Sequence, residues 1–268
     1  MIDIHSHILF NIDDGAKNIE ESITLLRQAE KIGITDIVCS SHFYIERYEN
    51  KDYNKNFKIL KKEIEKQGIK INIYKGNEIA LFENIFSKLE DINTINNSQY
   101  ILVELKRGLI FLLYKKFLQK FIELGYRPIL AHVERYPFIK FKEFKELYNM
   151  GVIFQMNIKT VKSLTPKMKY LLIEGYVKII GTDVHNIEFR NYELGNYFDE
   201  LKKIIGEKKF KELTYENQRK ILNNEEIILE IKEENNEVTK INSFSSLFKS
   251  IWSKLFSRSW FKWGYIKS

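Results

Sequence analysis

Residues 1–7 read M-I-D-I-H-S-H, a short apolar run that ends in two imidazoles. In an extended chain, positions i and i+2 point to the same side, so His5 and His7 can reach one ion. Six further strand-like runs follow, at 34–39, 70–78, 100–104, 128–132, 152–156 and 177–182. Between them lie amphipathic stretches, such as the one carrying Ile23, Leu26 and Ala29, which stop near Gly33, Gly68, Gly125, Gly151 and Gly175. A glycine there closes a helix in a left-handed cap. Seven strands alternating with helices predict a parallel α/β sheet. Without a dinucleotide-type glycine fingerprint, the pattern favours a closed form, a distorted seven-stranded (β/α) barrel of the TIM-like type, over an open doubly wound sheet.

Outward from the first run, the chemistry collects at strand ends. His5 and His7 close the first run, His42 in S-S-H follows the second, and Glu78 in G-N-E-I ends the third. Glu104 in I-L-V-E-L ends the fourth, His132 in A-H-V-E-R-Y the fifth, and Asp183 with His185 in G-T-D-V-H-N the seventh. The C-terminal rim of a (β/α) barrel is where active sites gather. One such histidine taken alone would better suit a buried ring donating to a carbonyl; five of five at these places point to several bound ions. Mixed imidazole and carboxylate ligands suit Mn, Fe or Zn. In I-D-D-G, Asp14 is the expected ligand and Asp13 the expected turn or capping residue. Gln155 and Asn157, ending the sixth run, read equally as polar rim or as supports for the ligands.

Composition bounds the rest. A chain of 268 residues, 44% hydrophobic and 14% aromatic, can bury one sizeable core. The single Cys39 cannot form an internal disulfide, fits a reducing compartment and reads as core. No signal-peptide pattern opens the sequence and no apolar run approaches a bilayer span, so a cytoplasmic location is expected. The net charge of +7 is uneven: beyond Glu237 there are six basic residues and no acidic ones, leaving residues 1–237 near +1. A nearly neutral domain argues against nucleic acid as its partner, because phosphate-backbone binding needs a basic face.

Two regions are therefore expected, a barrel over 1–237 and a basic aromatic tail over 238–268. The tail holds all three tryptophans, Trp252, Trp260 and Trp263. Phe244, Leu247, Phe248, Ile251, Trp252, Leu255 and Phe256 share one face at helical spacing, opposite Lys249, Lys254, Arg258 and several serines. Such an amphipathic helix over 244–267 suits an anionic membrane surface, peripheral at the inner face of the cell membrane. The same face equally suits packing on the barrel or on a sister subunit in a homo-oligomer.

The motifs M-I-D-I-H-S-H-I-L-F-N-I-D-D-G-A-K, I-V-C-S-S-H, G-N-E-I, A-H-V-E-R-Y, Q-M-N and G-T-D-V-H-N, spread over about residues 1–230, resemble the CpsB/YwqE-type protein-tyrosine phosphatases of the PHP (polymerase and histidinol phosphatase) superfamily. The resemblance implies three divalent ions, manganese foremost, and dephosphorylation of the phosphotyrosine tail of a bacterial tyrosine kinase that regulates capsular or exopolysaccharide synthesis. It implies that His5, His7, Glu78 and Asp183 hold one ion, with Glu78 bridging. Glu104 and His132 would complete the second, and Asp14, His42 and His185 the third. Arg135 and Arg190 would bind phosphate, a planar guanidinium matching phosphoryl oxygens. Water activated by divalent ions can attack phosphorus without a cysteine. The segment L-K-R-G after Glu104 and Phe43 after His42 depart from the family pattern and bear on loop shape and substrate preference. Two other functions fit the same residues: hydrolysis of a small phosphomonoester such as histidinol phosphate, and a non-catalytic metal-stabilised docking module.

Overall fold

The computed structural model describes residues 1–106 and 108–231. The tail expected over 238–268, and the boundary expected at 237, lie outside the described residues. Among these, nine strand segments and their helices alternate along the chain.

The first strand, β1 (Ile2–Ser6), pairs in parallel with β2 (Asp36–Cys39), and β2 with β4 (Asn72–Lys75). A second sheet runs in the order β3 (His42–Phe43), β5 (Glu78–Leu81), β6 (Tyr100–Leu105), β7 (Arg127–Leu130), β8 (Ile153–Asn157) and β9 (Val177–Gly181), all parallel. A single parallel bridge, Ser6 to Val184, joins β1 to the segment after β9. The parallel α/β class expected from the sequence is present.

The expected run at 70–78 is split into β4 and β5, the run at 34–39 is followed after two residues by the short β3, and the ladder divides into a three-stranded and a six-stranded sheet. The break falls at Ser40–Ser41 and Gly76–Asn77, where polar side chains capture the backbone. Ser40 donates its N–H to Ser6 O at 2.9 Å, and Ser6 N–H donates to Ser40 Oγ at 2.8 Å. Asn77 Nδ2 donates to Ser41 O at 2.9 Å, and Glu78 N–H is shared between the carbonyls of Ser40 and Ser41 at 3.0 and 3.1 Å. At Gly76 a Cβ would stand 2.5 Å from Val38 Cγ1, so the two segments approach closely there.

Most strands bury both faces, which is why they read as continuous apolar runs, and β4 at the edge of its sheet is the more exposed one. One face carries Ile2, Ile4, Val38, Tyr100, Leu102, Ile129, Ala131, Ile153 and Ile179, closed at one end by Ile221 and Leu222 of the last helix (Asn217–Leu222). The other face, with Ile101, Val103, Leu130, Phe154 and Ile180, packs on the helices. The first of these, α1 (Ile19–Lys31), shows how the sequence sets them: Asn18 Oδ1 caps Glu21 N–H at 2.9 Å, and Ile23, Leu25, Leu26 and Ala29 are buried. Helices end before Gly33, Gly68, Gly125, Gly151 and Gly175 as expected, and Gly33 has φ +83°, open to glycine at little cost. Cys39 is buried and unbridged, and burial pushes its thiol well above the ordinary range.

The loop after β1 folds back on itself, Ala16 N–H donating to His7 O at 3.1 Å. A Cβ at Gly15 would stand 2.1 Å from His7 O, a backbone atom that cannot yield cheaply. Gly15→Ala is therefore expected to destabilise the protein by about 1–3 kcal/mol, as other overpacked sites do. Urea unfolding measures this; an unchanged midpoint would show that the loop relaxes freely.

Candidate metal centre

The sheet face that carries Ile2, Ile4 and Val38 continues into polar residues at the C-terminal strand ends: Leu102 leads to Glu104, Ile153 to Gln155 and Asn157, and Ile179 across Gly181 to Asp183. His132 and Asp183 adopt left-handed conformations, with φ +33° and +57°. Each costs about 1–3 kcal/mol and survives only where surrounding contacts fix it. Here Gln155 Oε1 accepts His132 N–H at 2.7 Å, and His5 O accepts Asp183 N–H at 2.8 Å.

Glu78 stands at the centre, 1% exposed. Its carboxylate lies 2.7 Å from His132 Nε2, 3.1 Å from His42 Nδ1, 3.3 Å from His7 Nε2 and 3.4 Å from His5 Nε2. Three groups of potential ligand atoms form around it, each within 4.8 Å: His5, His7, Glu78 and Asp183; His42, Glu78 and Glu104; and His7, Asp14, His42 and His185. All nine residues singled out in the sequence converge, His132 through Glu78 and, at 4.0 Å, Glu104. The grouping departs in detail from what the resemblance implied, because His7 serves two groups and His42 turns Nδ1 toward Glu104 at 3.4 Å and Nε2 toward Asp14 at 3.4 Å.

The donor set fits divalent cations. His42 Nδ1 and His185 Nε2 are buried and make no hydrogen bond. Burial, against the pull of Glu78, lowers His42 to about 4; burial together with His7 lowers His185 to about 2. Both rings are neutral at pH 7, the form that coordinates a cation. Burial and the neighbouring Glu78 raise Glu104 to about 7. Several carboxylates gathered in a buried cluster are costly unless positive charge joins them.

Other residues hold the rings. Asp13 Oδ2 accepts from His7 Nδ1 at 2.6 Å and from His42 N–H at 2.7 Å, while its Oδ1 accepts Gly15 N–H at 3.0 Å. The turn role expected for Asp13 is thus present, and the same carboxylate also orients His7; the spacing in I-D-D-G carries no sign of that second contact. Gln155 Oε1 takes His5 Nδ1 at 3.1 Å, Asn157 Nδ2 donates to Asp183 Oδ2 at 2.9 Å, and Tyr136 OH meets His132 Nδ1 at 3.2 Å. Tyr136 was legible only as the residue one turn beyond His132 in H-V-E-R-Y. Such partners fix tautomer and ring direction. Asp13→Asn and Gln155→Leu are each expected to weaken divalent-cation binding about 10–100-fold, read by calorimetric titration of metal-stripped protein; unchanged affinity would reduce these contacts to packing.

Arg135, in a single turn after β7, donates through Nη2 to Asp183 Oδ2, and Arg190 Nη2 lies 2.6 Å from Asp183 Oδ1. Their side chains are 46% and 36% exposed, so both span from the buried carboxylate to the surface. The Arg190 loop is pinned: Asn186 Oδ1 accepts the N–H groups of Glu188, Phe189 and Arg190, and His185 N–H donates to Arg190 O at 2.7 Å. Lys106, in the L-K-R-G segment, contacts Glu104 Oε1.

The family model for capsular polysaccharide synthesis, CpsB/CapC, matches residues 1–223. The chain is similar to tyrosine-protein phosphatase CpsB of Streptococcus agalactiae serotype V, 31% identical over 240 residues that cover 84% of this chain and 99% of that protein. It is also similar to tyrosine-protein phosphatase YwqE of Bacillus subtilis, 27% identical over 246 residues, 85% of this chain and 93% of that protein. Its fold matches a chain from the crystal structures of YwqE from Bacillus subtilis and CpsB from Streptococcus pneumoniae, described as metal-dependent tyrosine phosphatases. The TM-score is 0.78 at 24% identity, over 87% of this chain and 98% of that one.

Proposed function

Because this chain belongs to the CpsB/CapC family of capsular polysaccharide synthesis, we propose that it is a metal-dependent protein-tyrosine phosphatase acting on the phosphotyrosine tail of a bacterial tyrosine kinase that regulates capsular or exopolysaccharide synthesis. The observation that carries the reading is the convergence of five histidines and four carboxylates, with Glu78 at their centre and two arginines beside them. In this proposal the nine segments act as seven staves of a distorted barrel, β2 with β3 and β4 with β5 each forming one. The three groups of ligands hold three divalent ions, manganese foremost, with iron or zinc as the alternatives.

Bound there, such ions supply Lewis acidity toward phosphoryl oxygens and lower the pKa of water. The chain supplies the rest. His5, His7, His42, His132 and His185 would present ring nitrogens to such ions, and Asp14, Glu78, Glu104 and Asp183 carboxylate oxygens. Asp13, Gln155 and Tyr136 keep those rings aimed. Arg135 and Arg190 meet the equatorial phosphoryl oxygens, whose charge grows in the transition state. A phenol with pKa near 10 is a better leaving group than an alkyl alcohol, so a site without a strong general acid suits phosphotyrosine.

No helix of the described residues is long and apolar enough to cross a membrane. A cytoplasmic enzyme drawn to the inner membrane face, or to a second copy of itself, by the basic aromatic stretch at 244–267 completes the proposal. Turnover of a phosphotyrosine peptide set against histidinol phosphate tests the substrate. A clear preference for the peptide is expected, and the reverse preference would move the assignment to a small phosphomonoester.

A further inference from the structure

The side of the centre away from the arginines has a wall of its own. Tyr44 and Tyr48 bracket a tight hairpin after β3, each donating its N–H to the other's carbonyl at 2.8 Å. Tyr48 stacks on His42, centroids 5.8 Å apart and planes 15° off parallel, and its ring also lies 5.0 Å from the Arg47 guanidinium carbon. Tyr44, half-buried, stacks on Phe82 at 5.0 Å and 21°. Lys106 joins this aromatic pair to the centre: its ammonium contacts Glu104 and lies 5.3 Å from the centroid of Tyr44, with 27% of the side chain exposed.

We propose that Tyr44, backed by Phe82, and Lys106 form the subsite that selects an aryl phosphate, the ring lying against Tyr44 and a phosphoryl oxygen meeting the Lys106 ammonium. Three features support this. A stacked aromatic pair lies beside the Lys106 ammonium that contacts Glu104, where an aromatic guest adds one more ring to an existing stack. Lys106 is the cation on the Glu104 side, as Arg135 and Arg190 are on the Asp183 side, so a phosphoryl group at Glu78 is met from two directions. Lys106 also follows directly on the end of β6, two residues past Glu104, so its ammonium reaches both the ligand cluster and the Tyr44 ring. The inference rests on the phosphatase reading and adds residues to it.

The test is calorimetric binding of phenylphosphonate and methylphosphonate, which are not hydrolysed, to the manganese-loaded full chain. Phenylphosphonate is expected to bind about tenfold more tightly, a difference in the range of one aromatic contact with its buried area. Tyr44→Ala removes that preference and Tyr44→Phe keeps it. Tyr44→Leu, which retains a large apolar side chain on the hairpin, covers the case in which alanine disorders the loop, and it too loses the preference. Lys106→Met weakens both phosphonates about tenfold, as loss of a charge-assisted hydrogen bond does, and Lys106→Arg restores them. A preference that survives Tyr44→Ala and Tyr44→Leu, or affinities untouched by Lys106→Met, overturns the subsite. Binding of both phosphonates without preference in the unaltered protein overturns the subsite alone, whereas binding of neither overturns the phosphatase reading and the subsite with it.

Discussion

Glu78→Gln is expected to lower phosphotyrosine hydrolysis about a thousandfold or more. Four imidazoles approach this one carboxylate between 2.7 and 3.4 Å, and it belongs to two of the three ligand groups. An amide keeps the shape but removes the charge that holds cations together there. Metal-derived stabilisation of several kcal/mol, at about 1.4 kcal/mol per tenfold, sets the magnitude. The fold should survive, because Glu78 sits at the polar end of β5 and the apolar core below is untouched; circular dichroism checks this. Metal content should fall in parallel with activity. A variant within tenfold of the parent, with its metal content intact, would remove Glu78 from the centre of the account.

Arg135→Ala and Arg190→Ala are each expected to lower kcat/KM about 100- to 1000-fold, the usual loss when one donor to a developing oxyanion is removed. Both guanidiniums contact Asp183, which also lies 3.3 Å from His5 Nε2, so loss of activity could arise through a displaced ligand instead. Metal affinity separates the two causes. Phosphate-binding arginines leave manganese binding within a fewfold of the parent and weaken inhibition by inorganic phosphate, whereas arginines that merely hold Asp183 change metal binding first. Substitution by Lys should recover little, since a point charge cannot reproduce a two-pronged contact with phosphate. Full activity in either alanine variant would contradict the assignment.

Much of this was legible because strands in a parallel sheet must be apolar on both faces and polar only at their ends. Ile2–Ser6, Tyr100–Leu105 and Ile153–Asn157 stood out as runs, and the polar residues ending them converge at one place. The split of the 70–78 run and the separate strand β3 were not legible, because Ser40 and Asn77 act through side-chain bonds to distant backbone groups. Local periodicity carries no record of such partners. Asp13 illustrates the same limit: two adjacent aspartates look alike in sequence, yet one is buried against His7 and the other stands half exposed by His42 and His185. Lys106 and Tyr44 were visible only as departures from a pattern or as ordinary loop residues, since their proximity depends on β3 and β6 both flanking β5.

The most direct measurement is phosphate release from a phosphotyrosine peptide by metal-stripped protein resupplied in turn with manganese, iron, zinc or magnesium, with bound metal counted in the same samples. Stripped protein is expected to show no turnover, and manganese to restore it to a plateau reached as the third ion binds. Undiminished turnover by stripped protein, or a fully loaded centre that releases no phosphate from the peptide, would contradict the metal-dependent phosphatase reading.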